Sequence, residues 1–359
     1  MRVLSNADVE QLLSAQDVID VLEVAYRELA ENRGHNRPRN HTYFPVEDER
    51  YPGFRFRFKS QEGGNISSGV WGTRITSDMV GVETLPTGEK RRRLLPVAPG
   101  GRYVGLVTLF SLTELAPLAI IHDSVIQKYR VGATTALGIR EMSNPDVTVA
   151  GMFGAGWQAA AHLETLLLVR PGIEEIRVFS PTKERREAFA AEWSDRTGKR
   201  VLAVDHPKDA VEGCRIITAA TAAMDPVFEG EWIEPGTHVS CITSPDGTAT
   251  RRELDDTTFD RADRIVVFSR EQVHHDSQFD ILGPVERGLK QWDDIQELGQ
   301  ILVDPAPARK NRDDITIFAN NTGMGIQFAA VGARILELAE ERDLGHVIPT
   351  DWFTEDTTP

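Results

Sequence analysis

A glycine-rich turn at residues 154–159 has the spacing of a dinucleotide-binding fingerprint. Gly154-Ala155-Gly156-Trp157-Gln158-Ala159 matches G-x-G-x-x-G/A, with alanine at the third small position. It follows an apolar run predicted to be a strand and opens an apolar helix, which is the context the fingerprint requires. Unpaired N–H groups at a helix N-terminus bind phosphates. We therefore expect Gly154, Ala155, Gly156 and Gln158 to bind a pyrophosphate; a glycine turn in an unrelated α/β unit is the alternative.

The end of the next predicted strand bears on which dinucleotide is bound. A carboxylate there would hydrogen-bond the ribose 2′-hydroxyl of NAD and repel the 2′-phosphate of NADP. Residues 179–186 (FSPTKERR) instead place hydroxyls and cations just beyond the strand. This pattern favours NADP(H), with NAD(H) as the alternative, and points to Ser180, Thr182 and Lys183, with Arg186 as a further candidate. An ordinary basic helix start would also explain it.

Aromatic and cationic residues alternate between positions 54 and 59. The aromatic residues are Phe54, Phe56 and Phe58, and the cations are Arg55, Arg57 and Lys59. In a strand, this alternation places the aromatics on one face and the cations on the other. Two interpretations stay open at this point: a half-buried strand whose cations face solvent, and an anion-binding site.

The chain has 359 residues and a formal net charge of −15, which disfavours a nucleic-acid partner. Residues 50–130 nevertheless carry twelve Lys or Arg and six Asp or Glu, a local charge of +6. The length favours two domains. No run of 18 apolar residues and no signal peptide is visible, and two cysteines cannot form a disulfide framework. We therefore expect a soluble, cytoplasmic protein with no membrane partner.

The apolar periodicity changes at Pro145. Before it, an N-terminal helix is followed by short apolar runs, broken by Gly and Pro, that predict an antiparallel sheet, and then by a helix over 124–142. After it, short apolar strands alternate with helices, which is typical of a parallel α/β sheet. A last strand at 314–318 and a last helix at 325–341 close the chain. The predicted fold class is α/β with a second, α+β domain.

The complete pattern resembles the ornithine cyclodeaminase/mu-crystallin family over nearly the whole chain. The motifs that carry the resemblance are LSNADV at 4–9, LAII at 118–121, RVGATTAL at 130–137, GAGWQAAAHL at 154–163, Ala220-Thr221, RDDITIF at 312–318 and GMGIQ at 323–327. The resemblance implies a homodimer in which both chain ends build a substrate-binding and dimerisation domain around an inserted Rossmann domain. We expect segments 1–144, 145–312 and 313–359.

The family resemblance also implies a reaction class. Its members reduce imines, dehydrogenate small amino acids, or deaminate ornithine or lysine with ring closure. We expect an NAD(P)-dependent oxidoreductase that moves a hydride between nicotinamide and the α-carbon of a small α-imino or α-amino acid. Two alternatives stay open: a cyclodeaminase with tightly bound NAD, and a non-catalytic NADP-dependent binding protein resembling mu-crystallin.

The resemblance assigns candidate roles to individual residues. Arg130 matches an arginine close to substrate and cofactor, and Arg74 stands where the family usually has a carboxylate-binding lysine. A planar guanidinium fork is well shaped for a carboxylate. Arg57 and Lys59 are further candidates for the substrate site, and Thr221 matches a cofactor-contacting threonine. A structural ion pair for Arg130 and a strand-end cap for Thr221 are the alternatives.

The catalytic acid is assigned by position. The family carries an aspartate in a turn that corresponds to residues 243–254, where Asp246 is the candidate, although Asp-Gly is also a common β-turn pair. The turn is longer than in the family. Phe328 stands where many members have an acid after Gln327.

Three further features have a functional and a structural interpretation. Three interpretations of the insertion at 79–101 stay open: a lid, a dimer-edge contact and a solvated loop. The solvated loop is favoured. His274-His275-Asp276 lacks a second ligand cluster, so we expect a polar loop and no metal site. Cys214 and Cys241 lie in apolar runs and are expected to be buried core thiols.

Overall fold

Both ends of the chain belong to one structural unit, and the residues between them form a second. The computed structural model describes residues 1–84, 90–243, 245, 250–306, 308–320 and 322–356. Unit 1 consists of Met1–Arg130 and Gly323–Pro359, and unit 2 of Val131–Thr322. The strands are β1 (Arg2–Leu4), β2 (Gly34–Asn36), β3 (Asn40–Pro45), β4 (Arg55–Asn65), β5 (Val70–Thr84), β6 (Lys90–Leu95), β7 (Val104–Ser111), β8 (Pro117–His122), β9 (Val149–Phe153), β10 (Glu175–Phe179), β11 (Arg200–Ala203), β12 (Ile216–Ala219), β13 (His238–Cys241), β14 (Arg264–Val267), β15 (Gln296–Glu297), β16 (Thr316–Ala319) and β17 (His346–Val347). The helices are α1 (Asn6–Leu12), α2 (Ala15–Ala30), α3 (Ser124–Met142), α4 (Trp157–Val169), α5 (Lys183–Thr197), α6 (Asp256–Arg261), α7 (Arg270–His275), α8 (Phe279–Glu286), α9 (Leu298–Val303) and α10 (Gly325–Glu341).

The sheet of unit 1 has the strand order β17-β1-β8-β7-β5-β4-β2, with β3 also paired to β4 and β6 to β5. Helix α10 packs closely on its inner face, because Gly72 of β5 lies against the backbone of Ala329, where a side chain on the glycine would not fit. Helix α2 begins at a capping box in which Ser14 and Asp17 satisfy each other's backbone N–H groups. Its Tyr26 hydroxyl accepts a hydrogen bond from Gln327 of α10 at 2.9 Å.

The outer face of this sheet is apolar and exposed. Along β7, the alternation places Val107 and Leu109 in the core, whereas Val104, Leu106 and Phe110 face outward. The large outward side chains are 39–54% exposed and come from β3 and β4 and, on the other side of β5, from β7: Phe44, Phe58, Val104, Leu106 and Phe110. Isolated exposed apolar residues are common, but a contiguous patch of them marks an interaction surface.

Residues 79–84 and 90–95 of the 79–101 insertion form the two strands of a β-hairpin. Strand β5 continues to Thr84, and β6 pairs with it in antiparallel register from Met79↔Leu95 to Thr84↔Lys90. The favoured expectation of a solvated loop is therefore wrong for these residues. Residues 85–89 lie outside the described part of the chain.

Unit 2 is a parallel α/β sheet of order β11-β10-β9-β12-β13-β16-β14-β15. Each neighbouring pair is parallel, and apolar clusters fill both faces, as expected of buried parallel strands. The α/β fold class predicted from the alternating strands and helices is confirmed. Cys214 and Cys241 are buried, free thiols. Burial raises the pKa of Cys214 to about 11, so this thiol stays protonated near neutral pH.

The unit boundaries differ from the expected 144/145 and 312/313. The expected boundary at 312/313 places β16 in the returning segment. The strand instead pairs with β13 on one side and β14 on the other, inside the parallel sheet. The later part of α3 also belongs to unit 2, where Gly138 lies against the ring of Phe318. Hydrogen bonds to strands that are distant in the sequence determine this placement. The pattern of apolar residues along the chain does not reveal those pairings.

No helix within the described residues is long and apolar enough to cross a membrane.

Candidate functional site: a dinucleotide turn and a buried cation cluster

The glycine turn joins β9 to α4 in unit 2. Gly154 has φ +112°, and its N–H donates to the carbonyl of Phe179 at 2.9 Å. A side chain there would also strike the carbonyl of Ala220. Both constraints require glycine, since residues with a Cβ rarely adopt this backbone conformation.

The start of α4 is free to receive an anion. Gly156 is the N-cap residue, no side chain caps the helix N-terminus, and a Cβ on Gly156 would meet nothing within 4 Å. Helix N-termini carry unpaired N–H groups and a partial positive charge. The open, uncapped turn fits a pyrophosphate, with Ala155 and Gln158 beside it. The strand, turn and helix expected around these glycines are all present.

The turn after β10 is more structured than the sequence indicates. Arg186 is buried, donates to the carbonyl of Ser180 at 3.0 Å, and forms an ion pair with Asp205 at 2.5 Å. Thr182 is the N-cap of α5, but its side chain makes no capping hydrogen bond, and Lys183 is exposed. Arg186 thus shapes the turn, while Thr182 and Lys183 remain accessible. Asp205 follows β11 and was missed because only the sheet brings it here.

Glu253 ties together the carboxyl ends of β12 and β13. Its Oε1 accepts from the backbone N–H and hydroxyl of Thr221 at 2.6 and 2.7 Å, and its Oε2 accepts from the N–H groups of Ile242 and Thr243 at 2.8 and 2.9 Å. Burial raises the pKa of Glu253 to about 7, against the opposing effect of these hydrogen bonds. Sequence analysis missed this residue, because nothing local shows that the two strand ends meet.

Thr221 therefore has a structural partner. Its hydroxyl donates to Glu253 and accepts from the N–H of Ala223 at 3.2 Å, which is the geometry of a strand-end cap. Its predicted contact with the cofactor stays a prediction. Asp246, the candidate proton donor, lies outside the described residues.

In unit 1, two arginines of the predicted site form buried ion pairs. Arg57 on β4 stands opposite Asp78 on β5 and binds it through two hydrogen bonds of 2.9 and 2.6 Å. Arg74 on β5 binds Asp123 at 2.6 Å and the side-chain oxygen of Gln61 at 2.7 Å. Arg57 and Arg74 are 4% and 6% exposed. The bidentate pair with Asp78 orients Arg57, and the bonds to Asp123 and Gln61 orient Arg74.

Arg130 lies at the same inner face without a carboxylate of its own. It is 6% exposed, and its described hydrogen bonds go to the side-chain oxygens of Gln127 at 3.3 Å and Gln327 at 3.2 Å. The ring of Phe328 lies 5.4 Å from its guanidinium carbon and 4.8 Å from that of Arg74. Burial, and then the charge of Arg74, lower the pKa of Arg130 to about 9. A structural ion pair, the alternative interpretation for Arg130, is absent among the described residues.

Lys59 is the fourth cation of this face. It is half-buried and makes no hydrogen bond or ion pair with a described residue. Burial, followed by the charges of Arg74, Arg57 and Arg39, lowers its pKa well below the usual lysine value. We call Arg57, Lys59, Arg74 and Arg130 the cation cluster. Arg39, Gln61, Asp78 and Asp123 adjoin it and were not singled out from the sequence.

Burial along β4 shows which face of the alternating strand turns inward, and anion binding by its cations stays a prediction. Phe58 is 39% exposed, whereas Arg57 is 4% exposed, so it is the cationic face that turns inward. A strand whose cations face solvent is therefore the wrong interpretation for Arg57 and Lys59. Only Arg55, at the start of β4, is exposed.

The two histidines at 274 and 275 lie at the end of α7. His274 packs its ring on that of Trp292 at 4.4 Å, and His275 bonds Asp276 at 3.1 Å. These residues are part of a helix end, where a polar loop was expected. Within the described part of the chain, no group of three His, Cys, Asp or Glu is arranged to hold a metal ion.

Comparison with known proteins assigns the family. The model of the ornithine cyclodeaminase/mu-crystallin family matches residues 81–343. The chain belongs to this family. A Delta(1)-pyrroline-2-carboxylate reductase of Bacillus cereus is 28% identical, over 71% of this chain and 79% of its own length. An alanine dehydrogenase of Archaeoglobus fulgidus is 25% identical, over 96% of this chain and 97% of its own length.

A solved structure supports the same grouping. The Thermococcus litoralis Delta(1)-pyrroline-2-carboxylate reductase in complex with NADH and L-proline has a TM-score of 0.80 and 27% identity, covering 97% of this chain and 100% of that one. The expected family is confirmed. The named activities of these relatives agree with the expected NAD(P)-dependent oxidoreductase acting on carbon–nitrogen bonds.

Glu253→Gln is expected to destabilise unit 2. The glutamine amide would turn an NH2 group toward two N–H or O–H donors, and each unsatisfied buried donor costs about 1–3 kcal/mol. We expect the free energy of unfolding to fall by about 2–4 kcal/mol, measured by urea denaturation at pH 8. The exposed Glu231→Gln is the matched control. Equal stability of the two variants would contradict the anchoring role.

Proposed function

We propose that the protein reduces a small α-imino acid to the corresponding α-amino acid, or catalyses the reverse oxidation, with a nicotinamide dinucleotide. The observation that carries this proposal is the buried, carboxylate-free Arg130 in a cation cluster. A cation in this position gains most from a bound anion, because burial has removed its water. The substrate carboxylate is that anion.

In the proposed reaction, separate groups of residues bind the substrate, bind the cofactor and transfer the proton. Arg130 and Arg74 clamp the substrate carboxylate, and the bond from Arg74 to Asp123 fixes its fork. The turn at Gly154–Gln158 receives the pyrophosphate. A bound nicotinamide exchanges a hydride with the substrate α-carbon. Asp246 supplies the proton that the nitrogen needs when the C=N bond becomes CH–NH, and takes it back in the reverse direction.

Arg130→Met is expected to lower kcat/KM for 1-pyrroline-2-carboxylate by about 100-fold, since a charge-assisted hydrogen bond contributes about 1.5–3 kcal/mol and the planar fork is lost as well. The measurement is NADPH or NADH oxidation by purified protein. Arg55→Met, on the exposed start of β4, is the control and should keep the wild-type rate.

The same assay separates the alternatives. Ammonia release from ornithine without net cofactor change would favour a cyclodeaminase. Binding of NADP(H) without turnover of any imino or amino acid would favour a binding protein. Full activity of Arg130→Met would contradict the carboxylate clamp.

For the cofactor, the preference is NADP(H), with Ser180, Thr182 and Lys183 at the 2′-phosphate. This proposal is supported by the absence of an acid between Phe179 and Lys183, by the uncapped Thr182 and by the exposed ammonium of Lys183. The carboxylate of Asp205, which the fold brings to this turn, is bound to Arg186.

Lys183→Ala is expected to raise KM for NADPH about tenfold and to leave KM for NADH unchanged, because the lost ammonium acts only on the extra phosphate. Steady-state kinetics with both cofactors provide the test. Lys208→Ala, a surface lysine paired with Glu212, is the control. An equal effect on both cofactors would contradict the assignment.

The assembly is a homodimer formed through the apolar outer face of the unit 1 sheet. The exposed side chains of Phe44, Phe58 and Leu106 support this proposal, since a soluble monomer rarely leaves such a patch uncovered. A second copy of the same face is a complementary partner, as in isologous dimers.

Leu106→Lys is expected to convert the dimer to a monomer, because it places a charge at the centre of the apolar face. Light scattering after size-exclusion chromatography measures the mass. Leu168→Lys, at an exposed position on α4 of unit 2, is the control. A wild-type mass equal to one chain, or a dimer that survives Leu106→Lys, would contradict the proposed interface.

A further inference from the structure

The cation cluster carries more positive charge than its own carboxylates balance. Asp78 is bound by Arg57 and Asp123 by Arg74. Lys59 and Arg130 form no ion pair with a described residue. Two cations on this inner face are therefore unmatched, and Arg39 adds further positive potential at both of them.

Helix α10 offers no compensating charge at this point. The residue after Gln327 is Phe328, and its fully buried ring lies against the guanidinium groups of both Arg74 and Arg130. A ring face attracts cations through its quadrupole, but it contributes no net negative charge. Neutralisation is thus left to a ligand. One carboxylate would balance only one of the two unmatched cations.

The two unmatched cations occupy separate positions along β4. Arg57, Lys59 and Gln61 follow at every second residue on the inner face, so neighbours are about 7 Å apart along the strand. Gln61 stands opposite Arg74 and lies close to Arg130, because a Cβ on Gly323 would be 2.6 Å from Arg130 Nη1 and 2.8 Å from Gln61 Nε2. Arg130 therefore belongs to the Gln61 end, and Lys59 lies one step further, between the two ion pairs.

This arrangement presents two anion-binding points at a short separation. Arg130 and Arg74 form the first, and Lys59, with Arg57 beside it, forms the second. Burial and the surrounding cations lower the pKa of Lys59, and a carboxylate bound there would oppose both effects and stabilise the protonated lysine. An apolar substrate tail at Lys59 would leave the lysine without a partner.

We propose that the substrate is an α-imino or α-amino acid with a second carboxylate, whose α-carboxylate binds Arg130 and whose distal carboxylate binds Lys59. This inference rests on the proposed function for the reaction and on the charge distribution for the substrate class. It distinguishes a short-chain dicarboxylic substrate from proline-like, alanine-like and ornithine-like ones.

The first experiment requires no turnover. Isothermal titration calorimetry of the full-length protein, saturated with NADP+, compares succinate with butyrate, which has the same number of carbons and one carboxylate. We expect succinate to bind at least tenfold more tightly. Equal affinities, or no binding of either acid, would overturn the inference.

The second experiment measures preference during turnover. With NADPH and ammonium, oxaloacetate supplies a dicarboxylic imine and pyruvate a monocarboxylic one. We expect kcat/KM to be higher for oxaloacetate, and the ratio of the two values to fall at least tenfold in Lys59→Met. Lys59→Arg should restore most of the ratio, and the exposed Arg55→Met should leave it unchanged.

The outcomes separate the two proposals. Turnover that favours pyruvate, or a ratio unaffected by Lys59→Met, would overturn the dicarboxylate assignment while the reductase proposal stands. Tight succinate binding that is lost in Lys59→Met, with no turnover of any imine, would support the dicarboxylate assignment and refute the reductase. Circular dichroism of Lys59→Met confirms that the variant is folded.

Discussion

Positive charge buried on one face of a sheet is the constraint on which the rest of unit 1 depends. Four cations stand on the inner face formed by β4, β5 and the start of α3, where water cannot solvate them fully. Burying an unpaired charge is costly, and breaking a buried pair strands its partner. Asp78 and Asp123 each hold one arginine. These pairs hold Arg57 and Arg74 in place, whereas Arg130 and Lys59 form no ion pair with a described residue.

This electrostatic arrangement also explains the apolar outer face. Since β4 alternates strictly, turning Arg57 and Lys59 inward turns Phe56 and Phe58 outward. Beyond β5, strand β7 continues that outer surface with Val104, Leu106 and Phe110, which are 39–41% exposed. The proposed substrate site on one side of the sheet and the proposed dimer interface on the other therefore depend on the same strand. The two roles expected of this unit, substrate binding and dimerisation, share one strand alternation.

In unit 2, hydrogen bonds organise the edge of the sheet where the glycine turn lies. Parallel strands end together at the edge where the cofactor turn lies, and their final N–H groups need acceptors. Glu253 supplies both carboxylate oxygens to the ends of β12 and β13. The N–H of Gly154 also finds its acceptor on a neighbouring strand, because it donates to the carbonyl of Phe179 at the end of β10. The turn is therefore held by hydrogen bonds from neighbouring strands, and its open helix N-terminus remains available for phosphate.

Local sequence determined the features that depend on a few adjacent residues. The Gly154–Ala159 turn, the strand–helix alternation around it and the two-sided character of residues 54–59 all follow from spacing alone. The family motifs extended this to the reaction class. Tertiary structure decided what depends on distant partners. It showed which face of β4 is buried, placed β16 in the parallel sheet, brought Asp205 to the turn after β10, and paired Arg57 and Arg74 with acids 21 and 49 residues away. The physical reason is that strand pairing and charge neutralisation act between groups close in space, whereas sequence patterns report only groups close along the chain.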